Sequence, residues 1–197
     1  VTHFRIEDST PPRNALTELG EAVVASELKG RVAFSGFSRV DSNRTENFAL
    51  LKEAGVVSLF FGLESLHDES LRRLRKGTNY ESIRNTLTKA HEAGIRTVGS
   101  FIFPLPGETH ESMQTTLRRI GELRPVLDSV VVLPAGVHPV TEWGRRPEDF
   151  GIRVADDYIQ ETIIYPIRYQ VPMRLWKPFP WTYRLLGKEA GEVTFQD

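Results

Sequence analysis

Apolar residues in this chain fall into short continuous runs, and between the runs lie polar stretches in which they recur at helical spacing. Runs such as Val56-Val57-Ser58-Leu59-Phe60-Phe61 and Thr97 to Phe103 are bounded by glycine or proline, which predicts buried strands with helices between them. The pattern predicts strands near residues 3–6, 32–37, 56–61, 97–103 and 128–133. It predicts helices near 13–28, 45–54, 68–75 with 79–93, 110–123 and 156–169.

The joins repeat. Leu51-Lys52-Glu53-Ala54-Gly55-Val56 and Lys89-Ala90-His91-Glu92-Ala93-Gly94-Ile95 each place helix formers before a glycine and a β-branched strand start. Glycine there allows the left-handed conformation that closes a helix, and Gly30 is expected to act likewise before Arg31-Val32-Ala33-Phe34. Ser9 or Thr10 is a candidate cap for the first helix, with Pro11-Pro12 in its first turn, and Pro166 should break or kink the last.

Alternating strands and helices predict an α/β fold with parallel strands. Five strands are too few to close an eight-stranded barrel of about 250 residues, so an open, curved sheet is expected. Ligands of such sheets sit at the carboxyl ends of the strands, where Glu7, Asp8, Arg39, Asp41, Glu64 and Pro104 to Glu108 fall. Two segments are expected: residues 1–151 as the barrel-like core, and 152–197 as a helix and an irregular aromatic, proline-rich tail packed on it.

Composition narrows the function classes. The net charge of −1, from 25 basic and 26 acidic residues, gives no bulk attraction to nucleic acid or anionic membrane. No apolar stretch approaches about 18 residues and no signal peptide begins the chain, so a cytoplasmic protein without a membrane span is expected. The absence of cysteine excludes disulfides and thiolate or iron–sulfur ligation within these residues. The chain begins at Val1 and its methionines are Met113 and Met173, so it is expected to be part of a longer protein.

Several residues can carry chemistry. Glu64 follows Gly62 at a strand exit, where its carboxylate can accept from ribose hydroxyls or an ammonium, or can act as a cap or ion-pair partner. Lys76, beside Gly77, can hold a carboxylate or complement a helix end. Ser100 interrupts an apolar strand, as a ligand contact or as a small packing residue. Glu7 and Asp8 offer acceptors to an amine, and Asp8 is also a candidate helix cap. Thr109 is a candidate cap behind the rigid turn Pro104-Leu105-Pro106-Gly107-Glu108. Arg145-Arg146 beside Trp143 are either an anion contact or a solvated turn. The five histidines lack metal-site spacing, and no phosphate loop or nucleophile elbow is present.

In order and spacing, Gly62-Leu63-Glu64-Ser65, Arg75-Lys76-Gly77-Thr78, Glu92-Ala93-Gly94-Ile95 and Pro104-Leu105-Pro106-Gly107-Glu108-Thr109 resemble the later part of the radical S-adenosylmethionine core. The similarity runs over roughly residues 1 to 135. It is greatest to Fe-S oxidoreductases often joined to a cobalamin-binding domain. The resemblance implies a partial (β/α) barrel lacking its first strand, which binds S-adenosylmethionine and cleaves it reductively to a 5′-deoxyadenosyl radical. It implies Glu64 at the ribose, Lys76 at the methionine carboxylate, Ser100 at the ribose or substrate side, and Glu7 and Asp8 in the loop that binds the methionine amine. It also implies a 4Fe-4S cluster, an electron donor such as flavodoxin or ferredoxin, and a small-molecule or otherwise undefined substrate.

Two departures stand out. Pro104 replaces the usual rim glycine, and the CxxxCxxC loop that holds the cluster is absent, so its ligands are expected upstream of Val1 and this chain alone should be inactive. The alternatives are a cluster-free barrel serving as a binding or scaffold module, and an unrelated βα-barrel enzyme acting through carboxylates such as Asp41 and Glu64.

Overall fold

The computed structural model describes residues 2–7, 14–40, 47–137, 141–154 and 183–185. Asp8, Ser9 to Pro12, Asp41, the helix expected over 156–169 with Pro166, and the tail from Pro172 to Trp181 lie outside the described residues. The chain forms two compact units, residues 1–102 with 114–133, and residues 103–113 with 134–197.

The first unit is built on a five-stranded sheet in the order β1 (Thr2–Ile6), β2 (Val32–Ser38), β3 (Val56–Glu64), β4 (Arg96–Phe103), β5 (Ser129–Pro134). The β1/β2, β2/β3 and β3/β4 pairs are parallel. The intervening helices are α1 (Ala15–Val24), α2 (Phe48–Glu53), α3 (Asp68–Arg73), α4 (Tyr80–Glu92) and α5 (His110–Glu122). Each of the five expected strands is found, with ends moved by a few residues at most.

Strand alternation divides β3 into two faces. Leu59, Phe61 and Leu63 are fully buried and join Leu51, Leu71, Ile83 and Leu87 in the core. Ser58, Phe60, Gly62 and Glu64 point to the opposite, half-buried face. Each buried leucine or phenylalanine contributes about 1.5–3 kcal/mol of transfer free energy. That contribution fixes the register, because a one-residue slip would exchange the faces.

Helix α4 shows why these segments become helical. Asn79 Oδ1 accepts from the Ser82 amide at 2.9 Å and Ser82 Oγ accepts from the Asn79 amide at 3.0 Å, a reciprocal cap. Tyr80, Ile83, Leu87 and Ala90 then form its buried stripe. Gly55 and Gly94 follow α2 and α4 with φ of +99° and +78°, as the repeated join predicts.

Three expectations at α1 need correction. The helix starts at Ala15 with Asn14 at its N-cap, so neither Ser9 nor Thr10 occupies that position. It ends at Val24 rather than near residue 28, because Ser26 Oγ donates to Val23 O and accepts from the Leu28 amide, which draws the backbone into a turn. Gly30 is left-handed but lies in the turn beyond, not at the helix end.

In the second unit, the Phe103–Pro104 peptide bond is cis and the Glu108 carboxylate accepts from the Leu105 amide at 2.8 Å. Thr109 caps α5 as expected: its Oγ1 accepts from the Ser112 amide, and Ser112 Oγ accepts from the Thr109 amide. Further along, α6 (Glu142–Arg145) and a 3-10 turn (Pro147–Phe150) precede β6 (Ile152–Val154), which pairs antiparallel with β7 (Tyr183–Leu185). Nothing in the apolar pattern predicts that second, two-stranded sheet.

Candidate functional site

At the carboxyl end of β3 the chain departs from regular pairing. Gly62 lies opposite Ser100, but Glu64 lies opposite Phe101, so Leu63 is an extra residue in the strand. Gly99 makes room for it: a Cβ there would stand 2.8 Å from Leu63 Cδ1. Directly after the bulge Glu64 adopts φ +65°, a left-handed conformation that costs a residue with a Cβ about 1–2 kcal/mol.

This geometry turns the Glu64 carboxylate back over its own strand. A Cβ on Gly62 would lie 2.8 Å from Glu64 Oε1, so the missing side chain at position 62 is what leaves room for the carboxylate. Lys76 is brought to the same place by the end of α3. Its amide bonds to Leu71 O at 3.2 Å, and left-handed Arg75 and Gly77 (φ +53° and +68°) turn the chain on either side of it. Lys76 Nζ then donates to Glu64 Oε1 at 3.2 Å, with both side chains about one-fifth exposed.

Ser38, at the end of β2, and Ser100, on β4, border the same concavity of about 290 Å³. Phe37 and Phe60 form its apolar side, their rings edge to face with centroids 5.1 Å apart. Ser38 is 2% exposed and its hydroxyl has no hydrogen-bond partner among the described residues. A buried hydroxyl without a partner is costly, and here it borders a hollow where a ligand atom can satisfy it. The site thus combines a carboxylate acceptor, an ammonium, two hydroxyls and aromatic surface. That set suits a ligand carrying a diol, a flat ring and an anionic end.

Of the sequence candidates, Glu64, Lys76 and Ser100 come together. Glu7 does not line this concavity; its exposed carboxylate pairs with Arg5 Nε at 2.9 Å. Asp8 lies outside the described residues. Ser38 was not among the candidates. The signal for it was present, since Phe37-Ser38-Arg39 ends the second apolar run as Gly62-Leu63-Glu64 ends the third.

A larger hollow of about 810 Å³ lies at the amino ends of the strands, bordered by His3, Lys52, Arg96 and Asp128. Asp128 and Lys52 are engaged there in structural contacts. Asp128 Oδ2 accepts from the Thr97 amide at 2.8 Å and from Thr97 Oγ1 at 3.2 Å, and Lys52 donates to Gly94 O at 2.6 Å. The Thr97 amide, aided by the Thr97 hydroxyl and by His91, holds the Asp128 carboxyl below its ordinary value of 3.8 against partial burial. Parallel sheets place their chemistry at the other end, which favours the smaller hollow. Among the described residues no three His, Asp or Glu side chains cluster as metal ligands, and no described helix is long and apolar enough to cross a membrane.

The sequence model of the radical SAM superfamily matches residues 13–120, more than half of the chain. The chain belongs to the radical SAM superfamily of enzymes. It is 34% identical over 104 residues to a protein of Methanocaldococcus jannaschii provisionally named as a methylthiotransferase, an alignment covering 53% of this chain and 23% of that protein. It is 28% identical over 87 residues to an uncharacterized methyltransferase of Pyrococcus horikoshii, covering 44% and 19%. The chain thus spans about a fifth of the length of these curated relatives.

Among solved structures, the radical S-adenosylmethionine methyltransferase TsrM of Kitasatospora setae, with cobalamin and an iron–sulfur cluster bound, matches with TM-score 0.60 at 22% identity, over 73% of this chain and 30% of that one. Coproporphyrinogen III oxidase of Escherichia coli matches with TM-score 0.54 at 21% identity, over 68% and 33%. At these identities the likeness concerns the fold, a five-stranded part of the radical SAM barrel.

Proposed function

We propose that the Glu64–Lys76 concavity is the ribose and carboxylate side of an S-adenosylmethionine site, in a radical SAM enzyme of which this chain is one part. The carrying observation is the convergence of Glu64, Lys76, Ser100 and the unpartnered Ser38 hydroxyl at the strand ends of a chain in this superfamily. Glu64 accepts from the ribose hydroxyls, Lys76 pairs with the methionine carboxylate, and Ser38 and Ser100 complete the hydrogen bonds of the nucleoside or the substrate side. Glu7, exposed at the end of β1, and Asp8 remain proposed acceptors for the methionine amine.

The donor set does not fit an iron–sulfur cluster: none of the 197 residues is cysteine, and the described residues hold no substitute group. We infer that the cluster ligands of the whole protein lie in segments outside this chain. When bound, S-adenosylmethionine would take up one electron and be cleaved to methionine and an oxidising 5′-deoxyadenosyl radical. The residues of this chain bind and orient it. A small-molecule substrate and a donor such as flavodoxin or ferredoxin, in the cytoplasm, complete the proposal.

Equilibrium dialysis of S-adenosylhomocysteine against the full-length protein tests the site. Glu64→Gln and Lys76→Met should each weaken binding about tenfold, the effect of losing one charge-assisted contact worth about 1.4 kcal/mol. Unchanged affinity in both variants would contradict the assignment.

A further inference from the structure

The residues that follow Glu64 are bonded to a helix that does not itself border the concavity. Ser65 to Asp68 are fastened to α5 by two side chains on one helix face. Thr116 Oγ1 lies 3.0 Å from Ser65 Oγ and accepts from the Leu66 amide at 3.2 Å. Arg119 donates to Leu66 O at 2.5 Å and to Asp68 Oδ2 at 3.0 Å. Ser65, Leu66 and Thr116 are fully buried, so water cannot replace these bonds. The Arg119 guanidinium lies over the Tyr80 ring, 4.2 Å from its centroid, and Asp68 Oδ1 accepts from the Tyr80 amide at 2.8 Å. The clamp is therefore braced by α4 as well.

A left-handed residue other than glycine or asparagine reverts to negative φ unless its neighbours over-determine it. Ser65 is the next residue, and its own amide is tied to Leu63 O at 2.8 Å. Fastening Ser65 and Leu66 to α5 therefore limits how the backbone at Glu64 can turn. We propose that Thr116 and Arg119 are positioning residues for the Glu64 acceptor, a role that rests on the ligand site proposed above.

The test combines binding with a structural readout. In the full-length protein, Thr116→Val and Arg119→Met should each weaken S-adenosylhomocysteine binding about tenfold, and Thr116→Ser should restore it to within about twofold. In a Glu64→Gln background the same two substitutions should change affinity less than about twofold, because the residue they orient no longer contributes its charge. Equal losses in both backgrounds, or no loss in the parent, would overturn the proposal. If Thr116→Val fails to fold, Arg119→Met carries the comparison. A crystal structure of either variant with Glu64 still at positive φ would overturn the positioning role whatever the ligand does. Undiminished binding by Glu64→Gln alone would instead remove the ligand site proposed for Glu64.

Discussion

Lys76 Nζ stands 3.2 Å from Glu64 Oε1, although a whole short helix separates the two residues in the chain. The pair lies at a strand end, half-buried, above the one residue of the strand that lacks a side chain there, Gly62. Both side chains are only about one-fifth exposed, and the cost of desolvating the two charges offsets much of their attraction, so the pair does not by itself account for a left-handed glutamate. Its position beside two buried serines is better explained as a binding arrangement.

Gly62→Ala should separate binding from folding. The new methyl would meet the flexible end of Glu64 at 2.8 Å, and the carboxylate can swing away at little cost to the fold. Urea denaturation should show a stability change within about 0.5 kcal/mol. Dialysis should show S-adenosylhomocysteine binding weakened about tenfold. A large stability loss with normal affinity would contradict the geometry.

Ser38→Ala should leave stability unchanged or raise it by up to about 1 kcal/mol, because it removes a buried hydroxyl without a partner. The same substitution should weaken ligand binding severalfold. A clear loss of stability would show that the hydroxyl is bonded within the protein.

The two charged residues should be separable by ligand. Methylthioadenosine keeps the ribose and lacks the amino-acid carboxylate. Glu64→Gln should weaken both this compound and S-adenosylhomocysteine about tenfold, whereas Lys76→Met should weaken only the latter. Parallel losses in both variants would contradict the assigned roles.

Asp128 gives a pH prediction. Its folded-state pKa lies below 3.8, so an unfolded chain binds the proton more readily. The carboxylate therefore contributes stability that is fully present above about pH 4 and is lost as pH falls through the depressed value. Asp128→Asn should be less stable at pH 7, and the difference from the parent should shrink in urea titrations as pH falls below about 4. A constant difference across that range would contradict the assignment of the shift.

Much of this was legible in the sequence. Strands β2 to β4 announce themselves because their apolar runs are uninterrupted and bounded by Gly30, Gly55, Gly94 and Pro104. Glu64, Lys76 and Ser100 were reachable from strand-end logic together with the family pattern. The end of α1 was not, because Ser26 competes for backbone bonds that helix propensity alone assigns to the helix. The Leu63 bulge was also hidden, since it depends on the space above Gly99 on a neighbouring strand. The clamp from α5 joins residues about fifty positions apart, a relation that no local pattern encodes.

The proposed S-adenosylmethionine site belongs to a protein that should cleave this ligand reductively. The most direct measurement is 5′-deoxyadenosine formation by the full-length protein, reconstituted anaerobically with iron and sulfide and then reduced with dithionite. The parent should form 5′-deoxyadenosine, and Glu64→Gln should lower the yield at limiting S-adenosylmethionine. No product from a parent protein with a fully loaded cluster would contradict the proposal.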